Sequence, residues 1–276
     1  MRISDWYQNR IIQFVRKVTE KPILRSIDWC GHHIGVTVFL LLVVGMGLRL
    51  AYRGMVERPE RDEISYIAMV EEVAASGEEA EPGMQRALIY AGLTISRLGF
   101  DVELGLRCFN LTCSFLWLVM MYFLGKAVFS SPEAGLVCLA LAACNPYMIR
   151  MGGLIMREPL YLLVFSSGLF CAIQIVRGID IGGYAILLGV LTVLGVWSRY
   201  EGIELLILIP VAVIFRIIYI LRDKLPGQWS RLVAGILLYL LSLGVSFAIL
   251  YLIWPGTMKV LEQKLVSTCK RILFIR

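Results

Sequence analysis

From Ile34 to Tyr52 the chain reads IGVTVFLLLVVGMGLRLAY. A bilayer's hydrocarbon core asks for roughly 20 mostly apolar residues per helical crossing. This run meets that length. Backbone amides and carbonyls inside lipid have no water to bond, so a lone crossing segment must satisfy them internally as a helix. The alternation of apolar and polar residues that barrel strands need is absent.

Working outward, six more runs of the same character follow. They cover about Leu104 to Phe129, about Ala134 to Met148, about Pro159 to Val176, about Gly182 to Trp197, about Gly202 to Leu221 and about Leu232 to Trp254. The fold class is therefore an all-α polytopic membrane protein of about seven transmembrane helices. The chain divides into a basic tail (1–33), a transmembrane module (34–254) and a C-terminal tail (255–276).

Composition agrees. Of 276 residues 58% are hydrophobic and 17% charged, against about 25% charged in soluble domains. The net charge of +6 serves orientation and anionic headgroups in a membrane protein. It carries no basic face with interleaved aromatics, so nucleic acid is not an expected partner. The seven cysteines lie mostly inside apolar runs, without a CxxC pair or metal-ligand spacing. They read as reduced, small hydrophobes. His32 and His33 are the only imidazoles, which argues against a histidine metal site or a Ser-His triad. No metal and no cofactor are expected.

The tail holds Arg2, Arg10, Arg16, Lys17, Lys21 and Arg25 with no early apolar region. The first span then reads as a retained signal anchor, with the N-terminus cytoplasmic by the positive-inside rule. Alternation places Lys126, Arg177 and the group Arg222, Lys224 and Arg231 inside. It places Asp62/Glu63, Arg150/Arg157/Glu158 and Arg199/Glu201 outside. The outer loop, 53–103, has its own pattern. Tyr66, Ile67, Val70, Val73 and Ala74 recur at helical spacing, with an end at Ser76-Gly77. A charged link from Glu78 to Gly83 follows. Ala87 to Leu98 is apolar but too short to span, and predicts an amphipathic helix at the interface or dipping partway in.

Three groups of charges could do chemistry on that outer face. Asp62 and Glu63 open a helix at the water boundary. They fit either a proton acceptor for an attacking hydroxyl or ordinary acidic residues at a helix start. Arg150, Arg157 and Glu158 lie around Gly152-Gly153 between two apolar runs. They fit a grip on phosphate oxygens or arginines reaching for headgroups. Arg199 and Glu201 flank Tyr200 at a span end, where an aromatic belt with interfacial charges is the ordinary reading. No group falls near a predicted midplane, where a transporter more often keeps its polar residues.

With those residues in order, the chain resembles the membrane glycosyltransferases of the GT-C superfamily. It is most similar to family 39, which holds protein O-mannosyltransferases and aminoarabinose transferases. The similarity rests on Arg61-Asp62-Glu63-Ile64-Ser65-Tyr66, Arg107-Cys108-Phe109-Asn110, Asn145-Pro146-Tyr147, Arg157-Glu158-Pro159-Leu160-Tyr161 and Ser198-Arg199-Tyr200-Glu201-Gly202. What the resemblance implies is a transferase at the outer face of a cytoplasmic (inner) membrane. It would move a sugar from a polyprenyl-phosphate lipid to an acceptor hydroxyl by one inverting displacement, without a metal. By that likeness Asp62 is the general base, and Glu63 orients the acceptor or tunes Asp62. Arg157, Arg199 and Arg150 hold the donor phosphate, with Tyr66, Glu158 and Glu201 in support. Relatives of this kind usually continue into further spans. The rival expectation is accordingly a GT-C-like subunit that works with a partner membrane chain, and a transporter ranks third.

Overall fold

Every apolar run folds as helix, with one break. The computed structural model describes residues 33–56, 59–76, 86–223 and 226–253. The helices are α1 (Ile34–Met55), α2 (Arg61–Ser76), α3 (Arg86–Arg97), α4 (Val102–Phe129), α5 (Pro132–Cys144), α6 (Pro146–Gly153), α7 (Glu158–Arg177), α8 (Ile181–Ser198), α9 (Leu205–Arg222) and α10 (Trp229–Ile253). Short 3-10 turns at Tyr200–Glu204 and Pro226–Gln228 precede the last two. No strand occurs among the described residues. Most of both expected tails and the link between α2 and α3 lie outside the described residues.

Among the described residues six helices are long and apolar enough to cross a bilayer: α1, α4, α7, α8, Glu201–Arg222 and α10. This is a multi-pass membrane protein. The expected third span is not one continuous helix. It is α5, then a bend of 65°, then α6, and only as a pair do the two pass the same test. The cause is local. A residue before proline is pushed out of the α region, and Asn145 sits at φ −68°, ψ 118° ahead of Pro146. The Asn145 side chain then accepts from the amides of Tyr147 and Met148 at 3.0 and 3.2 Å, capping α6. At 13 residues α5 is only about 20 Å long, well short of a hydrocarbon core.

Other boundaries follow equally local rules. Asp101, Ser131 and Asp180 each accept from the amide three residues on, at 2.7, 3.2 and 3.2 Å, and so start α4, α5 and α8. Gly178, at φ +78°, ends α7 in the left-handed conformation that glycine adopts without cost. There the Arg216 guanidinium of α9 donates to Val176 O at 3.2 Å. A cation thus meets the carbonyl end of the helix.

Four apolar clusters form the core of the described residues, the smallest being Met151, Leu154 and Met156 against Tyr52 and Val56. Of the others, one joins α7, α8, α9 and α10 around Val164, Cys171, Leu188 and Leu205. One joins α1, α4, α5 and α7 around Trp117, Leu118 and Leu139. The third seats α2 and α3 on α4 and α8 through Tyr66, Val70, Leu88, Ile89 and Leu106. The outward faces are apolar too: Phe39, Val43 and Val44 on α1, and Leu237, Leu240 and Leu241 on α10, are exposed. Apolar faces of that extent suit lipid rather than water.

Candidate functional site

Residues 151–156, from the end of α6 to the start of α7, are buried although their backbone is partly irregular. Buried irregular backbone needs partners for each amide and carbonyl. Three side chains from elsewhere supply them or hold the segment. Asn110 of α4, 1% exposed, donates to Met151 O at 3.4 Å and to Leu154 O. Glu63 of α2 accepts the Ile155 amide at 2.9 Å through Oε1. Arg49 of α1 lies against Gly152, where an added Cβ would stand 2.5 Å from Ser114 Oγ and 2.6 Å from Arg49 Nε. Arg49 is fully buried. It donates to Ser114 Oγ at 2.6 Å and to Gly45 O at 2.7 Å.

Glu63 and Asp62, read together as an acidic pair, face different surroundings. The Glu63 side chain is 0% exposed. Its second oxygen accepts the Glu60 amide at 3.0 Å, so both oxygens hold backbone N–H groups. Asp62 is exposed.

The arginines divide as well. Arg150 forks onto Glu60, with Nε donating to Oε1 at 3.1 Å and Nη2 to Oε2 at 2.7 Å. Arg199 is half-buried and forks onto Glu201 at 3.1 and 2.8 Å. Its third nitrogen reaches Glu158 at 2.9 Å, and its guanidinium lies 5.5 Å from the Tyr161 ring centre. Those carboxylates, the Glu201 bond first, hold Arg199 firmly protonated. Arg157 is engaged least. Its Nε meets Glu158 Oε1 at 3.4 Å, and its two terminal nitrogens have no hydrogen bond to the described residues.

Asp62, Arg157, Glu158 and Arg199 all act on one buried phenol. Burial pushes the Tyr66 hydroxyl above its usual range; Arg157 opposes that shift, Glu158 and Asp62 add to it, and Arg199 again opposes. Tyr66 is therefore a neutral phenol at any physiological pH. Two local features set the far wall. Gly202 packs its backbone directly on Gly195, where a Cβ would collide. This folds the turn back so that Arg199 and Glu201 face α7. Pro159, in the first turn of α7, suits the start of a helix, and Glu158 precedes it.

Next to the charges is an apolar cavity of about 280 Å³, lined by Tyr90, Thr94, Phe109, Leu160, Leu194 and Trp197 among others. The Tyr90 and Trp197 rings, both in its lining, stack on each other with centres 6.0 Å apart. The cavity exists because α3 does not stand apart. Leu88, Ile89, Tyr90 and Leu93 are buried against neighbouring elements.

Thus the sequence-derived residues Asp62, Tyr66, Arg157, Glu158, Arg199 and Glu201 gather at one end of the bundle, while Glu63 and Arg150 fix backbone and partner carboxylate. Sequence reasoning passed over Glu60 and Arg49. Glu60 precedes the Arg61-Asp62-Glu63 run by one residue. Arg49 is the single charge inside the first apolar run, and such a charge in a span is a signal in itself. Among the described residues no group of His, Cys, Asp and Glu is arranged to hold a metal ion. Compared with protein-family models, curated proteins and solved structures, the chain gives no match.

Proposed function

We propose that the protein is a glycosyltransferase of the outer face of a cytoplasmic membrane, taking its sugar from a polyprenyl-phosphate lipid. The observation that carries this reading is that an exposed carboxylate, Asp62, and the largely unspent guanidinium of Arg157 both lie within electrostatic reach of the same Tyr66 phenol. A base and an anion grip are what transfer from a sugar phosphate requires. The apolar cavity lined by Leu160 and Trp197 offers space for the first isoprene units of the lipid.

In the proposed step an acceptor hydroxyl attacks the anomeric carbon. Its proton passes to the Asp62 carboxylate. The bond from the anomeric carbon to the phosphate oxygen breaks with its electron pair, and the polyprenyl phosphate leaves as an anion. Arg157, and Arg199 behind it, stabilise the charge that develops on that oxygen. Attack from the face opposite the leaving phosphate inverts the anomeric centre.

The test is turnover of a panel of radiolabelled polyprenyl-phosphate hexoses by protein in nanodiscs. Replacing a general base costs about a hundredfold to ten-thousandfold, so Asp62→Asn should fall by at least that lower factor. Wild-type turnover in Asp62→Asn would remove Asp62 from the role of base. A second reading has its own support: Glu201 and Glu158 already neutralise Arg199. That suits a subunit whose fold is kept while a partner chain does the chemistry. Silence of the purified chain, with turnover regained on adding a co-purified membrane protein, would favour it.

A further inference from the structure

Likeness alone groups Arg150 with Arg157 and Arg199 as a phosphate ligand. The geometry sets it apart. We propose that Arg150 is a positioning residue: by forking onto Glu60, alongside Glu63 on the Ile155 amide, it fixes where Asp62 stands. This rests on the transferase reading for the purpose of the placement, though not for its existence.

Both oxygens of Glu60 are taken by Arg150, at 3.1 and 2.7 Å. Glu60 also accepts the Ile64 amide with its main-chain oxygen at 3.2 Å, so it is part of the first turn of α2. Three residues on, Glu63 closes the same turn by accepting the Glu60 amide at 3.0 Å. Its other oxygen is bonded to Ile155 at 2.9 Å. Two independent ties thus run from this one turn to the segment that ends α6 and leads into α7. One is planar and charged, the other buried and to backbone. Asp62 lies between them in sequence. A guanidinium spent in a two-point bond to a carboxylate has fewer donors left for a phosphate, whereas Arg157 keeps its terminal nitrogens.

The reciprocal pairing makes the idea testable without a substrate. Hydrogen exchange of the peptide spanning the first turns of α2 would be followed by mass spectrometry in nanodiscs. Partly exposed ion pairs are weak, and forked ones sit at the upper end. Glu60→Ala and Arg150→Ala should each speed exchange about threefold to fivefold. The charge swap Glu60→Arg with Arg150→Glu should bring it back to near wild type, and Arg150→Gln serves where the alanine variant is poorly folded. In parallel, binding of undecaprenyl monophosphate should weaken in Arg157→Ala and stay within about twofold of wild type in Arg150→Gln. Exchange that ignores both single variants, or a swap that does not restore it, overturns the proposal. So does an Arg150→Gln that loses the lipid phosphate as Arg157→Ala does. If wild-type protein binds no polyprenyl phosphate, the transferase reading fails and the exchange result still decides the tie.

Discussion

Asp62 and Glu63 share a side-chain charge and differ in everything around it. The Glu63 carboxylate has left water and is held by two amides. Hydrogen bonds to a charged group contribute about 1.5–3 kcal/mol each way when one is lost in a buried place. Glu63→Gln keeps the shape but turns an NH2 group toward an amide that needs an acceptor. It should lower stability by about 2 kcal/mol, read as a lower midpoint of thermal unfolding in detergent. Asp62→Asn should leave that midpoint where it was and remove transfer instead. Equal loss of stability in both variants would mean that the two acids do the same job. The sequence placed both at a helix start, and α2 does begin at Arg61. Which one turns inward depends on Ile155, 92 residues away, and no local spacing carries that.

At the scale of elements, the break between α5 and α6 matters most. Asn145-Pro146 is a local signal for it, because proline disfavours helix in the residue before it. Read from the sequence, the same dipeptide marks only the close of a span. What keeps the bent pair in place was less legible. The Arg49 guanidinium lies between α1, Ser114 of α4 and the Gly152-Gly153 end of α6. The small residues let the backbone of α6 come close enough to meet it. Gly152→Ala would drive a methyl into Ser114 and Arg49. Overpacking of this kind costs about 1–3 kcal/mol, and here it also disturbs a buried cation. Gly47→Ala is the control: it lies in the same helix as Arg49 with nothing within 4 Å of the new carbon. Thermal unfolding should separate the two, with Gly152→Ala clearly lower and Gly47→Ala at or above wild type, since alanine is the better helix former. If Gly152→Ala melts like wild type, α6 is not wedged where these contacts put it. The reading of α3 as a short helix at the interface or dipping partway in, by contrast, came straight from an apolar run too short to span. Its burial against Trp197 did not, because only the folded bundle brings the end of α8 to it.

Across the whole molecule the ends of the bundle are chemically distinct. One end gathers Glu60, Asp62, Arg150, Arg157, Glu158, Arg199 and Glu201. The other holds the Arg177 bond to Ser130 at 2.6 Å and the Arg216 contact to the end of α7. Alternation of spans gave this division in outline, and it depends on the bent pair α5–α6 counting as one crossing. If α5 and α6 instead enter and leave on the same side, every later connection changes face, and Asp62 is separated from Arg157 by a bilayer. Arg150 on Glu60 and Glu63 on Ile155 tie the start of α2 to the α6–α7 segment, and on that ground we propose one crossing. The orientation we propose rests on charge. Lys126, Arg177 and Arg222 lie toward the end away from the site, and short basic connections favour the cytoplasm. In a chain whose seven native cysteines are replaced by alanine, cysteines placed singly at Ser130, Ile179 and Asp223 should therefore resist a membrane-impermeant maleimide in intact cells and react after permeabilisation. Cysteines at Asp62 and Tyr147 should react from outside at once. Labelling of the first three and protection of the last two would invert the protein and move the proposed chemistry to the cytoplasmic face. Labelling of Asp62 without Tyr147 would break the single-crossing arrangement itself.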